Sequence, residues 1–332
     1  MSTLTLPAIL IDLAQAGETG LPLGLEQQFQ RELQLCREWG FKVETIDDRV
    51  RLRFDPDQLV PEWIQKETPA IAWDALRIKG FLRVKSTNSE ALALAKEGAP
   101  SGTLVFSEEQ TSGRGRTNRT WFSPARAGLY CTLILRPKQS GKYWPLLTLV
   151  ASVALVDTLK DFSDRKIMPH PIDVDIKWPN DVLIAGKKCA GILLETLLND
   201  ADDPAAVVGF GINVRKESVP ETLVSEAVSL DEIAPVPVPR RLILVRFLHN
   251  FQLCYLMFEQ GNHQKLLERW KSYSSMWNGA PIWIGAGEKS RQAVTCGLNE
   301  IGALLVRTAD GTLETLYAES IRISGIVQRI KT

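Results

Sequence analysis

Lys177-Trp178-Pro179-Asn180-Asp181 and, four residues further on, Gly186-Lys187-Lys188-Cys189-Ala190-Gly191-Ile192-Leu193-Leu194-Glu195 read as strand end, turn, turn and strand. Pro179-Asn180-Asp181 is turn chemistry, and Gly186-Lys187 predicts a second tight turn. Lys188 then opens a nearly all-apolar strand, which puts a cation beside a low-dielectric pocket where it can meet a carboxylate. Gly191 inside that strand marks close approach of another backbone or a ligand. The alternating Val174-Asp175-Ile176-Lys177 supplies the strand before the first turn. Strands joined by turns and interrupted by separate helices predict an α+β domain with a mixed sheet, not regular βαβ winding.

Outward from that stretch, further strands are predicted at Arg83-Val84-Lys85, Thr103-Leu104-Val105-Phe106, Tyr130-Cys131-Thr132-Leu133-Ile134-Leu135 and residues 207–213. One helix begins near Ser89 and a second covers 144–160; a third, 241–260, presents Leu242, Val245, Phe247, Leu248, Phe251 and Leu256 as its apolar face. Upstream, Ile9, Leu10 and Leu13 form one helical face. Leu33, Leu35, Cys36 and Trp39 form another, ended by Gly40. Residues 41–46 and 50–54 alternate around Asp47-Asp48, so residues 1–68 predict a small winged-helix-like module. Short strands near 280–284, 292–297, 303–307 and 315–317, with turns at Gly287, Gly302 and Asp310-Gly311, predict a small β-barrel over 277–332. The middle domain is then 69–276.

The chain has 332 residues, 45% of them hydrophobic, enough for two or three domains. Its 39 basic and 39 acidic side chains cancel, so attraction to DNA or membrane requires a local patch. Five widely spaced cysteines without a CxxC predict neither disulfides nor a metal site, and suit a reducing cytoplasm. The first residues lack the basic start and cleavage site of a signal peptide. Residues 145–156 are too short a run to span a bilayer and read as a buried helix.

Three further patches carry chemistry. Ser86-Thr87-Asn88-Ser89-Glu90 reads plainly as a capping box, Thr87 with Glu90, or functionally as exposed hydroxyl and amide groups gripping a small polar ligand. Glu109-Gln110-Thr111-Ser112-Gly113-Arg114-Gly115-Arg116-Thr117-Asn118-Arg119-Thr120-Trp121 laces three arginines with two glycines. Guanidinium forks fit carboxylate and phosphate, and Trp121 can cover a ring. The plain reading is a solvated basic loop. Asn118 stands where a GxGxxG fingerprint needs its third glycine, and no GxxxxGK[ST] occurs. Gly209-Phe210-Gly211-Ile212-Asn213 is another glycine-bearing strand end.

These patches, in this order and spacing, resemble the biotin protein ligases: Ser86-Thr87-Asn88, the GRGR of residues 113–116, KWPND, the KxAGILxE of 188–195 and GxGIN. The resemblance covers about residues 81–323 and implies a catalytic domain of the biotin/lipoate ligase type with an SH3-like C-terminal barrel. It implies that Ser86, Thr87, Asn88 and Gln110 bind biotin, and that Gly113, Arg114, Gly115 and Arg116 close over biotin and its adenylate. Arg119 and Trp121 match the nucleotide side, and Asn180 and Asp181 a turn near ATP and Mg²⁺. Lys188 matches the lysine beside the biotin carboxylate and the α-phosphate. Gly191, Gly209, Gly211 and Asn213 match the pocket wall and nucleotide site. Arg114, Arg116 and Lys188 would act catalytically, by proximity and electrostatic stabilisation. The partner implied is a biotin carboxyl carrier protein or the carrier domain of acetyl-CoA carboxylase; a homodimer is left open. Asn118 departs from the family's usual glycine but tolerates positive φ.

Residues 1–60 hold ten acidic against six basic side chains, whereas a module that neutralises phosphates should be locally basic. This favours a degenerate winged helix without DNA binding. The rival reading is a bifunctional ligase and DNA-binding repressor of biotin genes. The arginine loop with KWPND counts against a lipoate-type ligase, and intact Arg114, Arg116 and Lys188 count against an inactive relic.

Overall fold

The computed structural model describes residues 3–73, 76–197, 204–285, 290–317 and 321–323, with the backbone alone at 25–28 and 321–323. A short strand, β1 (Leu4–Thr5), leads into α1 (Ala8–Ala16), which buries Ile9, Leu10 and Leu13 as their helical spacing predicts. After β2 (Leu21–Pro22), α2 (Gly24–Glu38) buries Leu33 and Cys36 and is followed by Gly40 at φ 75°. The helix breaks at Phe29, at φ −110° and ψ 18°, so two helical segments meet at a kink. Asp47 and Asp48, both at positive φ, turn β3 (Val43–Ile46) into β4 (Arg49–Leu52), the geometry a two-residue hairpin needs. A helix absent from the sequence reading, α3 (Pro61–Glu67), follows; proline at its first position suits a helix start.

The large sheet begins with β5 (Arg77–Val84), α4 (Thr87–Lys96), β6 (Thr103–Gln110) and β7 (Gly128–Leu135). The long helix α5 (Leu146–Asp164) is buried along nearly its whole length. Strands β8 (Val174–Lys177), β9 (Asp181–Ile184), β10 (Lys187–Leu197) and β11 (Ala205–Asn213) then complete the sheet in the order β1-β5-β6-β7-β11-β10-β9-β8. Only β5 and β6 run parallel, joined across α4, so the sheet is mixed as expected. The turn between β9 and β10 is Ala185-Gly186, both at positive φ, one residue earlier than predicted; Lys187 already lies in the strand.

Strand periodicity fixes what each face does. Cys131, Leu133, Val208, Phe210, Ile212, Ala190 and Ile192 point into the main core against α5 and α7 (Arg240–Glu259). Their neighbours Thr132, Gly209, Gly211, Gly191 and Glu195 therefore face the other way. α4 covers part of that second face through Ala91 and Ala95 on Ile134, Ala205 and Val207. The remainder is left for the site. The buried side of α7 carries Ile243, Leu244, Phe247, Leu248, Phe251 and Phe258, whereas Leu242 is exposed. Of the predicted face, Phe247, Leu248 and Phe251 are core and Val245 packs against them; only Leu242 turns outward, while Ile243 and Leu244 turn in. The sequence reading also omitted α6 (Leu230–Ile233) and α8 (His263–Tyr273).

The tail forms an antiparallel sheet of β12 (Asn278–Ile284), β13 (Arg291–Leu298), β14 (Leu304–Thr308), β15 (Leu313–Leu316) and β16 (Ile321–Ile323), ordered β15-β14-β13-β12-β16. Gly302 and Gly311 turn at positive φ as predicted, while the Gly287 turn lies outside the described residues. Ile282, Leu304, Val306 and Leu316 join the main core. Gly302 sits where a side chain would press on Leu146 and Leu149 of α5, and its carbonyl accepts a hydrogen bond from Trp178 Nε1 at 2.9 Å.

The N-terminal helices share a second core with Phe41, Val50, Leu52 and Leu82 of β5. Two buried arginines tie this region to α7. Arg240 bonds Asp57 (Nε to Oδ2, 3.1 Å) and Glu108 (Nη1 to Oε2, 2.5 Å). Arg241 reaches Glu67 at 3.1 Å and lies over the rings of Phe54 and Trp63.

Candidate active site

One cavity of about 1930 Å³ opens on the sheet face that α4 leaves bare. Ligand pockets usually span about 300–1,000 Å³, so this one has room for two ligands or a ligand and an incoming chain. Every residue that the resemblance assigns to ligand binding lines it except Gly113. Gly113 is buried just behind, accepting a hydrogen bond from the Trp121 amide at 2.9 Å. A side chain there would strike the Trp121 carbonyl and Ser123 Oγ.

The floor is a lane of glycines. Gly191 and Gly211 are cross-strand partners between β10 and β11, and Trp121 lies over them. A Cβ at Gly211 would meet Trp121 Nε1 at 2.5 Å; one at Gly191 would meet the Trp121 ring at 3.1 Å and Lys188 Nζ at 3.2 Å. Gly209 admits the Asn88 amide, which a Cβ would strike. The glycines are thus required by what crosses above them.

At one end stands the turn before α4. Ser86, Thr87 and Asn88 are buried. The predicted capping box is not formed: Ser86 is the N-cap, without a side-chain cap bond, and Thr87 is already helical. Its polar groups turn instead to Gln110, whose Oε1 accepts from Thr87 N at 2.8 Å and from Thr87 Oγ1 at 3.1 Å. Gln110 Nε2 donates to Ser123 Oγ at 2.9 Å. The buried Thr132 hydroxyl lies 2.8 Å from Asn88 Oδ1 and 2.9 Å from Thr87 Oγ1. Asn88 Nδ2 donates to Glu195 Oε2 at 2.9 Å. Thr132, Ser123 and Glu195 were missed as site residues. For Glu195 the signal was present: a carboxylate ending an otherwise apolar strand.

Above the lane, the arginine loop is a tight hairpin. Gly115 N donates to Arg119 O at 2.7 Å, and Arg114 bridges Thr120. Its tip holds Thr117 and Asn118 at φ 52° and 59°, so asparagine keeps the left-handed conformation that glycine would adopt freely. Arg114 Nη2 donates to Glu195 Oε2 at 2.7 Å, and Arg116 Nη1 to Asn180 Oδ1 at 3.1 Å. Asn180 is itself fixed, donating to Ile192 O at 2.8 Å and accepting from Ile192 N at 2.9 Å. Arg119 is exposed on the cavity rim.

Lys188 Nζ lies 2.7 Å from Asp181 Oδ1 and 5.2 Å from the Trp121 ring centre. The Asp181 contact is an ion pair without hydrogen-bond alignment, and this buried oxygen accepts no hydrogen bond among the described residues. Asn213 Nδ2 faces the carbonyls of Lys188 and Val228 at 3.5 and 3.4 Å. Burial pushes the Cys131 thiol up and the Cys189 thiol up to about 12, so neither supplies a thiolate nucleophile at neutral pH. No group of three or more His, Cys, Asp or Glu side chains is placed to hold a metal among the described residues.

The family model described as "Biotin/lipoate A/B protein ligase family" matches residues 80–213, which hold the glycine lane, the arginine loop and Lys188. The Bacillus spizizenii protein named "Bifunctional ligase/repressor BirA" is 32% identical over 248 residues, 72% of each chain. A Mycobacterium tuberculosis "Biotin--[acetyl-CoA-carboxylase] ligase" is 34% identical over 184 residues, covering 54% of this chain and 64% of that protein. Among solved structures, the biotin protein ligase of Aquifex aeolicus in complex with biotin and ATP superposes with a TM-score of 0.62 at 28% identity. It covers 75% of this chain and 99% of its own. Sequence order, sheet topology and these likenesses converge: the chain belongs to the biotin protein ligases of the biotin/lipoate A/B protein ligase family.

Proposed function

We propose that the chain joins the biotin carboxylate to the α-phosphate of ATP, releasing pyrophosphate, and then passes the biotinyl group to one lysine of a carboxylase's carrier domain, releasing AMP. The observation that carries this reading is the convergence of Arg116, Lys188 and the Ser86-Thr87-Asn88 turn on a single cavity floored by glycines. Both substrates are anions, so drawing them together needs cations in a site shielded from water. Ser86, Thr87 and Gln110 offer the hydroxyl and amide groups that suit the ureido ring of biotin. Lys188, beside the glycine lane, sits where a carboxylate and a phosphate can meet. Trp121 gives a ring for apolar or purine contact, and Arg116, Asn180 and Arg119 border the nucleotide end. The acyl phosphate provides the leaving group, so no nucleophile from the protein is required. Asp181 is the carboxylate that would face a Mg²⁺ accompanying ATP, and such an ion would neutralise phosphate charge.

We propose the divisions 1–68, 69–276 and 277–332, the first winged-helix-like and the last SH3-like. The kinked α2 and the β3–β4 hairpin support the former, and the five-stranded tail sheet the latter. The first module is proposed not to bind DNA. Three of the six basic groups in residues 1–60 serve the module itself: Lys42 pairs with Asp55 at 2.8 Å, Arg53 with Glu44 at 3.4 Å, and Arg49 donates to Gly20 O at 2.8 Å. The ligase/repressor reading is favoured by the exposed Gln30, Arg31 and Gln34 on the second half of α2. A specific gel shift with the gene's upstream region at low salt would decide for it.

The main test mixes protein, ATP, Mg²⁺, biotin and a carrier domain. A biotin-sized mass increase on one carrier lysine supports the reading. Its absence, with a carrier that a known ligase does modify, overturns it.

A further inference from the structure

Glu195 stands between the floor of the cavity and the loop that roofs it. Its position on β10 turns it to the glycine face, among Leu193 and Gly191. One oxygen, Oε2, accepts both Asn88 Nδ2 at 2.9 Å and Arg114 Nη2 at 2.7 Å. Asn88 is buried and packed over Gly209, so the carboxylate is anchored on that side. Arg114 is the first arginine of the loop, with its side chain 41% exposed. An ion pair this exposed is weak and exchangeable.

From this juxtaposition we infer that Glu195 is the positioning residue of the arginine loop. It catches Arg114 and holds the Gly113-to-Trp121 hairpin down over the cavity while fixing the Asn88 amide. Arg114 then serves the loop's closure, and the phosphates are faced by other cations, Arg116 and Lys188 among them. The inference rests on the biotin-activation reading for its consequence, retention of the adenylate between the two half-reactions. It does not rest on that reading for the catch itself.

Two readouts separate the two. Trypsin cuts after arginine, so the loop carries its own reporters at Arg114, Arg116 and Arg119. In the ligand-free full chain, Glu195→Gln is expected to be nicked in this loop about three- to tenfold faster than wild type, with the cleavage placed by intact mass. Arg114→Gln, on an exposed hairpin that does not endanger the core, should speed nicking at Arg116 and Arg119 to the same degree. The double variant should be no faster than either single one, because one contact is lost in each. Raising salt should speed nicking of wild type and leave Glu195→Gln unchanged. With ATP, Mg²⁺ and biotin but no carrier, both variants should release the adenylate faster than wild type by a similar factor. Equal nicking of wild type and both single variants, or effects that add in the double variant, overturns the inference. Faster nicking without any biotin-dependent pyrophosphate from wild type keeps the catch and sinks the activation reading.

Discussion

The two pairs of arginines in this chain are built in opposite ways. Arg240 and Arg241 open α7 fully buried, each answered by carboxylates, carbonyls or rings. Arg114 and Arg116 roof the cavity on a glycine-bearing hairpin and reach across it to Glu195 and Asn180. A guanidinium taken out of water is tolerated only when its partners are complete, and losing one leaves an unpaired buried charge. A half-exposed one makes a bond that water can replace. The first arrangement fixes the N-terminal region to the catalytic sheet; the second holds its loop only through contacts that water can replace. The same residue type therefore gives permanence or exchange according to burial.

The sharpest way to break this contrast is Arg240→Met. It strands Glu108, which is 1% exposed, and should lower the unfolding free energy by about 3–5 kcal/mol, read by denaturant melts. A loss below about 1 kcal/mol would erase the distinction between the pairs. Next comes Lys188→Gln, expected to slow biotin-dependent pyrophosphate release by about 10²–10³-fold, the usual cost of one electrostatic stabiliser. Its melting curve should barely move, since the Lys188–Asp181 pair is partly exposed. Gly209→Ala forces a methyl group into the Asn88 amide and should cost about 1–3 kcal/mol, seen as weaker biotin binding by calorimetry. The smallest effect is one of pH. Burial pushes the Asp57 carboxyl upward, but Arg240 and Arg215 outweigh it and hold the group below its ordinary value. Its stabilising contribution is therefore complete above the usual aspartate range, near pH 3.9, and fades only as pH falls further. Melts at pH 7 and pH 5 should show the same Asp57→Asn difference, and the difference should shrink below about pH 4.

Much of this architecture could be read from the chain because local rules and global fold agree. Asp47-Asp48 between alternating stretches specified a hairpin, and Gly40 specified a helix end. The glycines of the two strands announced close approach, although only the structure names what approaches: Trp121 and Asn88. The capping box at Thr87 was misread because tertiary partners took its groups. Gln110 and Thr132, 23 and 45 residues away, are invisible to a local rule. The face of α7 was legible at Phe247, Leu248 and Phe251 but not at Leu242, which is exposed. Leu242, Ile243, Leu244 and Val245 are four consecutive apolar residues, so sequence alone does not say which of them turn inward. Arg240 and Arg241 escaped notice altogether, since sequence gives no sign that two adjacent arginines are to be buried.

The account stands on one cavity in which two anionic substrates react beside Lys188. Its most direct test is exchange of labelled pyrophosphate into ATP, without any carrier protein present. Exchange that appears only when biotin is added, saturates with biotin and is lost in Lys188→Gln is the predicted result. Exchange indifferent to biotin, or none at all from folded wild-type protein, would contradict it.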